Sequence, residues 1–130
     1  GARAARYKPD PRLGLEWGVS VLSAALRGEA TGAPTGFRGD VVATAKRDLT
    51  AGEELDGEGG FCVWGKLMPA ENSLAIGGLP IGLAHGIKLR RNVQAGQALT
   101  WADVDIDAGN ETYRTRRAME VAFSPAKVEA

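Results

Sequence analysis

The sequence predicts a mainly β, α+β domain: short strands joined by glycine turns, with one helix before them and one after. Three observations predict it. Ten residues, Lys46-Arg47-Asp48-Leu49-Thr50-Ala51-Gly52-Glu53-Glu54-Leu55, recur forty-four positions later as Arg90-Arg91-Asn92-Val93-Gln94-Ala95-Gly96-Gln97-Ala98-Leu99, with four positions identical. Eighteen glycines in 130 residues, about twice the usual share, favour turns and bulges over long helices. Helix signals occur near the two ends of the chain: an apolar stripe at Leu15, Val19, Leu22 and Leu26, and a capping residue, Asn110, ahead of Glu111 to Phe123.

Taken in order, residues 1–11 mix basic residues with Pro9 and Pro11 and are expected to be a linker or tail. Residues 12–28 are expected to form a docking helix, stopped by Gly28. Thr31 to Gly36, with two glycines around Pro34, is loop chemistry. Residues 40–109 form the β block. Asp40 to Leu49 is expected as a strand, Thr50 to Glu53 as its turn with Gly52 at positive φ, and Glu54-Leu55 as the return. Each copy of the repeat is thus expected to be a hairpin, and the two hairpins are expected to be related by a pseudo-twofold. Asp56 to Gly60 is a tight bend, and Phe61-Cys62-Val63-Trp64 a short β run. Gly65 to Asn72, with Pro69 inside it, is expected to be irregular, and Ser73 to Ile76 a short strand. Gly77 to Pro80 is a second bend, and Ile81 to His85 an apolar turn or helix. Gly86 to Val93 alternates apolar and basic residues as a half-buried strand does. Thr100-Trp101-Ala102-Asp103 has the form of a capping box, with Asp in place of Glu. Residues 110–124 form the final helix, ended by Ser124-Pro125.

Sixteen basic and sixteen acidic residues cancel, which gives no electrostatic reason to expect nucleic acid or a membrane surface as partner. No apolar run of 18 residues exists to span a bilayer, and no signal-peptide pattern opens the chain. A single cysteine, Cys62, excludes an internal disulfide and fits a reducing compartment, so a cytoplasmic location is expected. A chain that opens at Gly1 rather than Met is expected to be a fragment or a cleavage product.

The candidate ligand-contacting residues are Glu58, Lys66, Glu71, Asn72, His85 and Arg90. Glu58, Lys66, Glu71 and Asn72 lie in the segment between the two copies, which is long for a bare connection. A carboxylate near a lysine can bind a polar ligand or move a proton, although surface ion pairs are commoner. His85, the lone histidine, can shuttle a proton, although a turn residue that packs locally is the commoner case. Without Cys or His partners it predicts no metal site. Arg47, Arg90 and Arg91, with Lys46 and Lys88, form either a basic patch for a carboxylate or phosphate, or a solvated face. Gly77-Gly78 either cradles an anion or is a plain turn. Cys62, in an apolar setting, is expected to be an inert core thiol, and Trp17, Trp64 and Trp101 core or interface anchors. The catalytic residues are unknown; no nucleophile–base pair, metal cluster or phosphate loop can be read, so the chain alone is not expected to be catalytic.

The two Ala-Gly turns followed by Leu99-Thr100-Trp101-Ala102-Asp103-Val104 resemble the SAF domain family. That family has the β-clip fold, shared by antifreeze-like domains, sialic acid synthase C-termini, altronate dehydratase N-termini and flagellar P-ring chaperones. Ala30 to Leu49, Leu55 to Gly60, Gly65 to Ala70 and Gly77 to His85 further resemble the C-terminal region of bacterial homoserine-dehydrogenase-like NAD(P)-dependent oxidoreductases. One branch of these replaces 1-deoxy-D-xylulose 5-phosphate reductoisomerase in isoprenoid synthesis. The resemblance covers roughly residues 12 to 123 and implies an accessory domain that completes a substrate pocket or an oligomer interface. Its implied partners are the Rossmann catalytic domain of a longer parent, or a second copy of itself, and a small polar ligand. NAD(P)H is implied for that parent only: Gly57-x-Gly59-Gly60 lacks the third glycine's spacing and a following helix, so no cofactor is expected in this chain. Two alternatives are a stand-alone module for a sugar acid or similar ligand, and a flagellar P-ring-type chaperone.

Overall fold

The computed structural model describes residues 17–32 and 35–124. The expected tail at 1–11, the first part of the expected helix with Leu15, and the residues Pro34 and Pro125 lie outside the described residues. The chain divides into two units, residues 1–35 and residues 36–130. The first contains α1 (Trp17–Leu22), continued by a π-helical turn at Ser23–Arg27. Gly28 ends it in the left-handed conformation, with φ 65° and its N–H donating to Ala24 O, as the sequence led us to expect. The apolar stripe on this helix is uncovered: Val19, Leu22 and Leu26 are all exposed.

The second unit contains β1 (Gly39–Ala45), β2 (Glu54–Asp56), β3 (Val63–Pro69), α2 (Ala70–Ile76), β4 (His85–Leu89), β5 (Val104–Asp105) and α3 (Glu111–Ala122). Two 3-10 turns, Ile81–Leu83 and Trp101–Asp103, complete it. All strand pairs are antiparallel, in one sheet of order β1-β3 and another of order β2-β4-β5. The α+β class is therefore as expected.

The expected pseudo-twofold is present, but the arms of each copy pair with the other copy rather than with themselves. Several cross-links occur twice, displaced by the repeat spacing. Ala45 N donates to Gln97 O at 2.9 Å, and Leu89 N donates to Glu53 O at 2.9 Å. Gly96 N donates to Ala45 O at 2.8 Å, and Gly52 N to Leu89 O at 2.7 Å. Leu49 and Val93, equivalent residues, exchange both bonds with each other. The turns are tied crosswise as well: Ala95 N donates to Asp48 Oδ1 and Ala51 N to Asn92 Oδ1, each at 2.8 Å. The Asp/Asn conservation in the repeat is thus an acceptor conserved for the other copy's turn. Gly52 and Gly96 take φ 85° and 80°, which L-residues adopt only under strain. Because Leu49 and Val93 sit at this crossing, the strands on either side are shorter than expected and end at Ala45 and Leu89.

The segment between the copies is more regular than expected. Gly65 to Asn72 is not irregular, and Ser73 to Ile76 is not a strand. β3 runs on to Pro69, paired with β1 throughout, and α2 follows. Pro69 breaks nothing because it closes the strand and occupies the position just before the helix, where a missing N–H costs no intrahelical bond. Gly77 and Gly78 are not an anion cradle. They end α2, and their N–H groups donate to Leu74 O and Ser73 O.

The core of this unit holds Leu55, Leu79, Leu99, Val63 and Val104, each at most 1% exposed. The capping box is formed: Asp103 Oδ2 accepts from Thr100 N and Oγ1, each at 2.8 Å, and Arg91 donates to Oδ1. Asn110 caps α3 by accepting from Tyr113 N. α3 is fastened by a buried ionic cluster. Arg116 grips Asp40 with two nitrogens, at 3.1 and 2.6 Å, and gives its Nε to Glu120 at 2.8 Å. Ser73 Oγ donates to Asp40 at 2.5 Å, while Glu120 also accepts from Trp101 Nε1 and Arg117. Trp101 is half-buried and meets Tyr113 edge-on with ring centroids 5.3 Å apart, whereas Trp64 stands exposed on the edge strand β3.

Candidate functional site

A cleft of about 550 Å³ opens between the 3-10 turn at Ile81–Leu83, strands β4 and β5, and the start of α3. Two further hollows lie along α3. Leu83, Ile87 and Ile106 give the cleft an apolar wall, and His85, Asp105, Asp107, Asn110 and Thr112 give it polar groups. A small apolar surface with a few placed polar groups is the usual form of a small-ligand site.

Each polar group is placed by its backbone. His85 opens β4, opposite Asp56 of β2. Its Nδ1 lies 3.1 Å from Asp56 O. A carbonyl only accepts, so Nδ1 carries a proton; whenever the ring holds that proton alone, Nε2 is an acceptor. The bend at Gly57, with φ 76°, lies directly against the imidazole: a β-carbon there would sit 2.9 Å from His85 Nδ1. Gly57→Ala is expected to displace the ring and to destabilise the unit by about 1–3 kcal/mol through the strained φ. Urea denaturation and the His85 ring NMR signals check this; an unshifted ring would contradict it.

Asp105 belongs to β5, and Arg90 donates to its Oδ1 at 2.9 Å. Asp107 closes the turn into α3: its Oδ1 accepts from Gly109 N at 2.8 Å and its carbonyl from Asn110 N at 3.0 Å. Asn110 spends its Oδ1 on the cap, which leaves its amide N–H₂ as a donor. Thr112 adds a hydroxyl from the first turn of α3.

Among the six candidates from the sequence, His85 lines this cleft and Arg90 reaches it through Asp105. Glu58 is exposed in the bend at 56–60, Lys66 is exposed on β3 opposite Val42, and Glu71 and Asn72 are exposed on the first turn of α2. None of these four lines the cleft, and no ion pair joins them among the described residues. The expected basic patch is largely spent: Arg47 pairs with Glu53, Arg90 with Asp105 and Arg91 with Asp103, while Lys46 donates to Gly60 O. Cys62 is buried, but not in the purely apolar setting expected, since Arg47 Nη2 is 3.6 Å and Glu53 Oε1 3.8 Å from its sulfur. Burial, with Asp56 beside it, pushes the thiol above its ordinary value, which keeps it an unreactive thiol. The Gly57–Gly60 bend leads into strand β3 rather than a helix. No group of His, Cys, Asp and Glu among the described residues has the geometry of a metal site.

Asp105 and Asp107 were missed as site residues. The run Val104-Asp105-Ile106-Asp107 alternates apolar and acid residues, and that signal marks these two acids as outward, while Asp103 just before it is buried in the capping box. Val104 is buried and Ile106 half-buried, while Asp105 and Asp107 are exposed.

Residues 40–105, from the first residue after Gly39 of β1 to the end of β5, match the SAF domain. The chain belongs to the SAF domain family. No curated protein matches the chain. The matched span contains both copies of the repeat and the β4–β5 side of the cleft; α3 and its cap lie beyond it. No helix among the described residues is long and apolar enough to cross a membrane.

Proposed function

We propose that this SAF domain is a non-catalytic recognition module that takes a small polar ligand in the β4–β5–α3 cleft. We further propose that it serves as the C-terminal accessory domain of a homoserine-dehydrogenase-like NAD(P)-dependent oxidoreductase. The cleft is the observation that carries the first part: five polar residues, from β4, β5, the turn that follows and the start of α3, line it beside an apolar wall. The second part rests on the resemblance of residues 30–49, 55–60, 65–70 and 77–85 to that group. It is supported by the uncovered stripe on α1, where Val19 is 64% and Leu26 79% exposed. A helix with an open apolar face gains by burying it against a larger partner. NAD(P)H belongs to that partner, and a cytoplasmic setting goes with the reading.

Calorimetry on the 130-residue chain is expected to give no NADPH binding heat. The native protein, recovered from its source with an antibody to this domain, is expected to be several-fold larger than this chain or to bring a nucleotide-binding chain with it. A native chain of this size that purifies alone would sink the oxidoreductase assignment. It would favour the second reading, a stand-alone ligand-binding module, which the cleft also suits because all its walls come from residues 82–112.

A further inference from the structure

The hydrogen-bonding character of the cleft narrows its ligand. Asp105 and Asp107 each have one carboxylate oxygen, Oδ2, without a hydrogen bond among the described residues, since Arg90 and Gly109 N take the Oδ1 atoms. With the ring neutral, His85 adds Nε2 as a third acceptor, because Nδ1 is committed to Asp56 O. Against these three acceptors stand the Asn110 amide and the Thr112 hydroxyl as donors. No lysine or arginine lines the cleft; Arg90, just past β4, donates to Asp105, and Lys88 of β4 is its partner across the strands. The positive end of α3 is already matched by Asp107 and Glu111, the acids on either side of its cap. A ligand carboxylate or phosphate brought here would add acceptors to acceptors, and would set its negative charge beside Asp107, which has no ion-pair partner among the described residues. A group rich in O–H or N–H donors would satisfy all three open acceptors.

We infer that the cleft binds a polyhydroxylated ligand that lacks an acid group, neutral or bearing an ammonium, and discriminates against the corresponding sugar acid. This deepens the small-ligand reading above and rests on it. Its ring or chain carbons would lie on Leu83, Ile87 and Ile106, with hydroxyls turned to Asp105, Asp107 and His85.

The test is a titration of the ¹⁵N-labelled full chain with glucose, glucosamine and glucuronate, which share the pyranose ring and differ in charge. Saturating shifts are expected at the amides of His85, Asp107, Asn110 and Thr112 with glucosamine and glucose. Glucuronate is expected to bind at least about tenfold more weakly than glucosamine, a difference of about 1.4 kcal/mol. In Asp107→Asn the gap is expected to shrink to less than about threefold, because one of the two acids is neutralised. Glucuronate binding at the same amides as tightly as glucosamine would overturn the ligand class while leaving the small-ligand reading in place. No saturating shift with any of the three sugars, or shifts confined to other surfaces, would overturn both.

Discussion

Arg116→Met is expected to destabilise the 36–130 unit by about 3–5 kcal/mol at neutral pH, the usual cost of stranding a buried charge. Among the described residues, the arginine is the one cation that touches both Asp40, 6% exposed, and Glu120, 9% exposed. Methionine keeps much of the packing on Phe37, whose ring lies 4.9 Å from the guanidinium, but leaves Asp40 with only Ser73 and the N–H of Val41 as donors. The dependence on pH carries a sign. Burial pushes the Asp40 carboxyl up, but the hydrogen bonds of Arg116 and Ser73 and the Arg116 charge outweigh it and hold the pKa below its ordinary 3.8. A depressed folded pKa means that the stabilisation is fully present above the unfolded value and is lost as pH falls through the folded one. Asp103 behaves alike: burial raises it, and Arg91 with Thr100 pulls it below 3.8. The parent should therefore lose stability only in strong acid. Without Arg116 the burial acts on Asp40 with less opposition, its carboxyl takes up a proton at higher pH, and the gap between parent and variant narrows as pH drops below about 4. Urea denaturation at a series of pH values measures this. A loss below about 1 kcal/mol at pH 7 would mean that α3 is held by its apolar contacts instead.

That cluster also marks the limit of what the chain's sequence makes legible. Asp40 and Arg116 are 76 residues apart, and nothing local to either announces the pair. The repeat was legible because its constraints are local in kind: Ala-Gly for a turn with positive φ, and Asp or Asn for an acceptor. Which arm pairs with which was not, because a hairpin and an interlocked pair of turns need the same residues at the same positions. β3 was hidden for another reason. Beyond Val63 it is an edge strand with Trp64 to Leu67 exposed, so it lacks the alternation that a half-buried strand imposes. α2 was hidden by Pro69, which punctuates a strand end and a helix start with the same residue. In the cleft, His85 stood out as the lone titratable imidazole. Asn110 read as a cap, which it is, and nothing local singled out Asp107; their place in the cleft needed β4 beside them.

Leu99→Ala is expected to cost about 2–5 kcal/mol, as a fully buried leucine does when its cavity cannot close. Leu99 is the equivalent of Leu55 in the repeat, and the two are 0% and 1% exposed within one buried cluster. If the pseudo-twofold governs packing as it governs hydrogen bonding, Leu55→Ala should cost the same within about 1 kcal/mol, given the usual site-to-site spread. The surroundings differ in one respect: Leu99 lies in the segment that exchanges backbone bonds with both Ala43 and Leu79. Those bonds stiffen its neighbours, so its cavity should relax less and its loss should be the larger of the two. The double variant should depart from additivity by about 0.5 kcal/mol or more, because residues that share one core relax into the same space. Urea denaturation of the two single variants and the double variant measures all three quantities. Equal single losses that add without coupling would show two half-cores that stabilise independently. In that case the interlocked turns fix the topology without uniting the core. A large coupling would show that the two copies bury one shared core, which is why neither copy would be stable without the other.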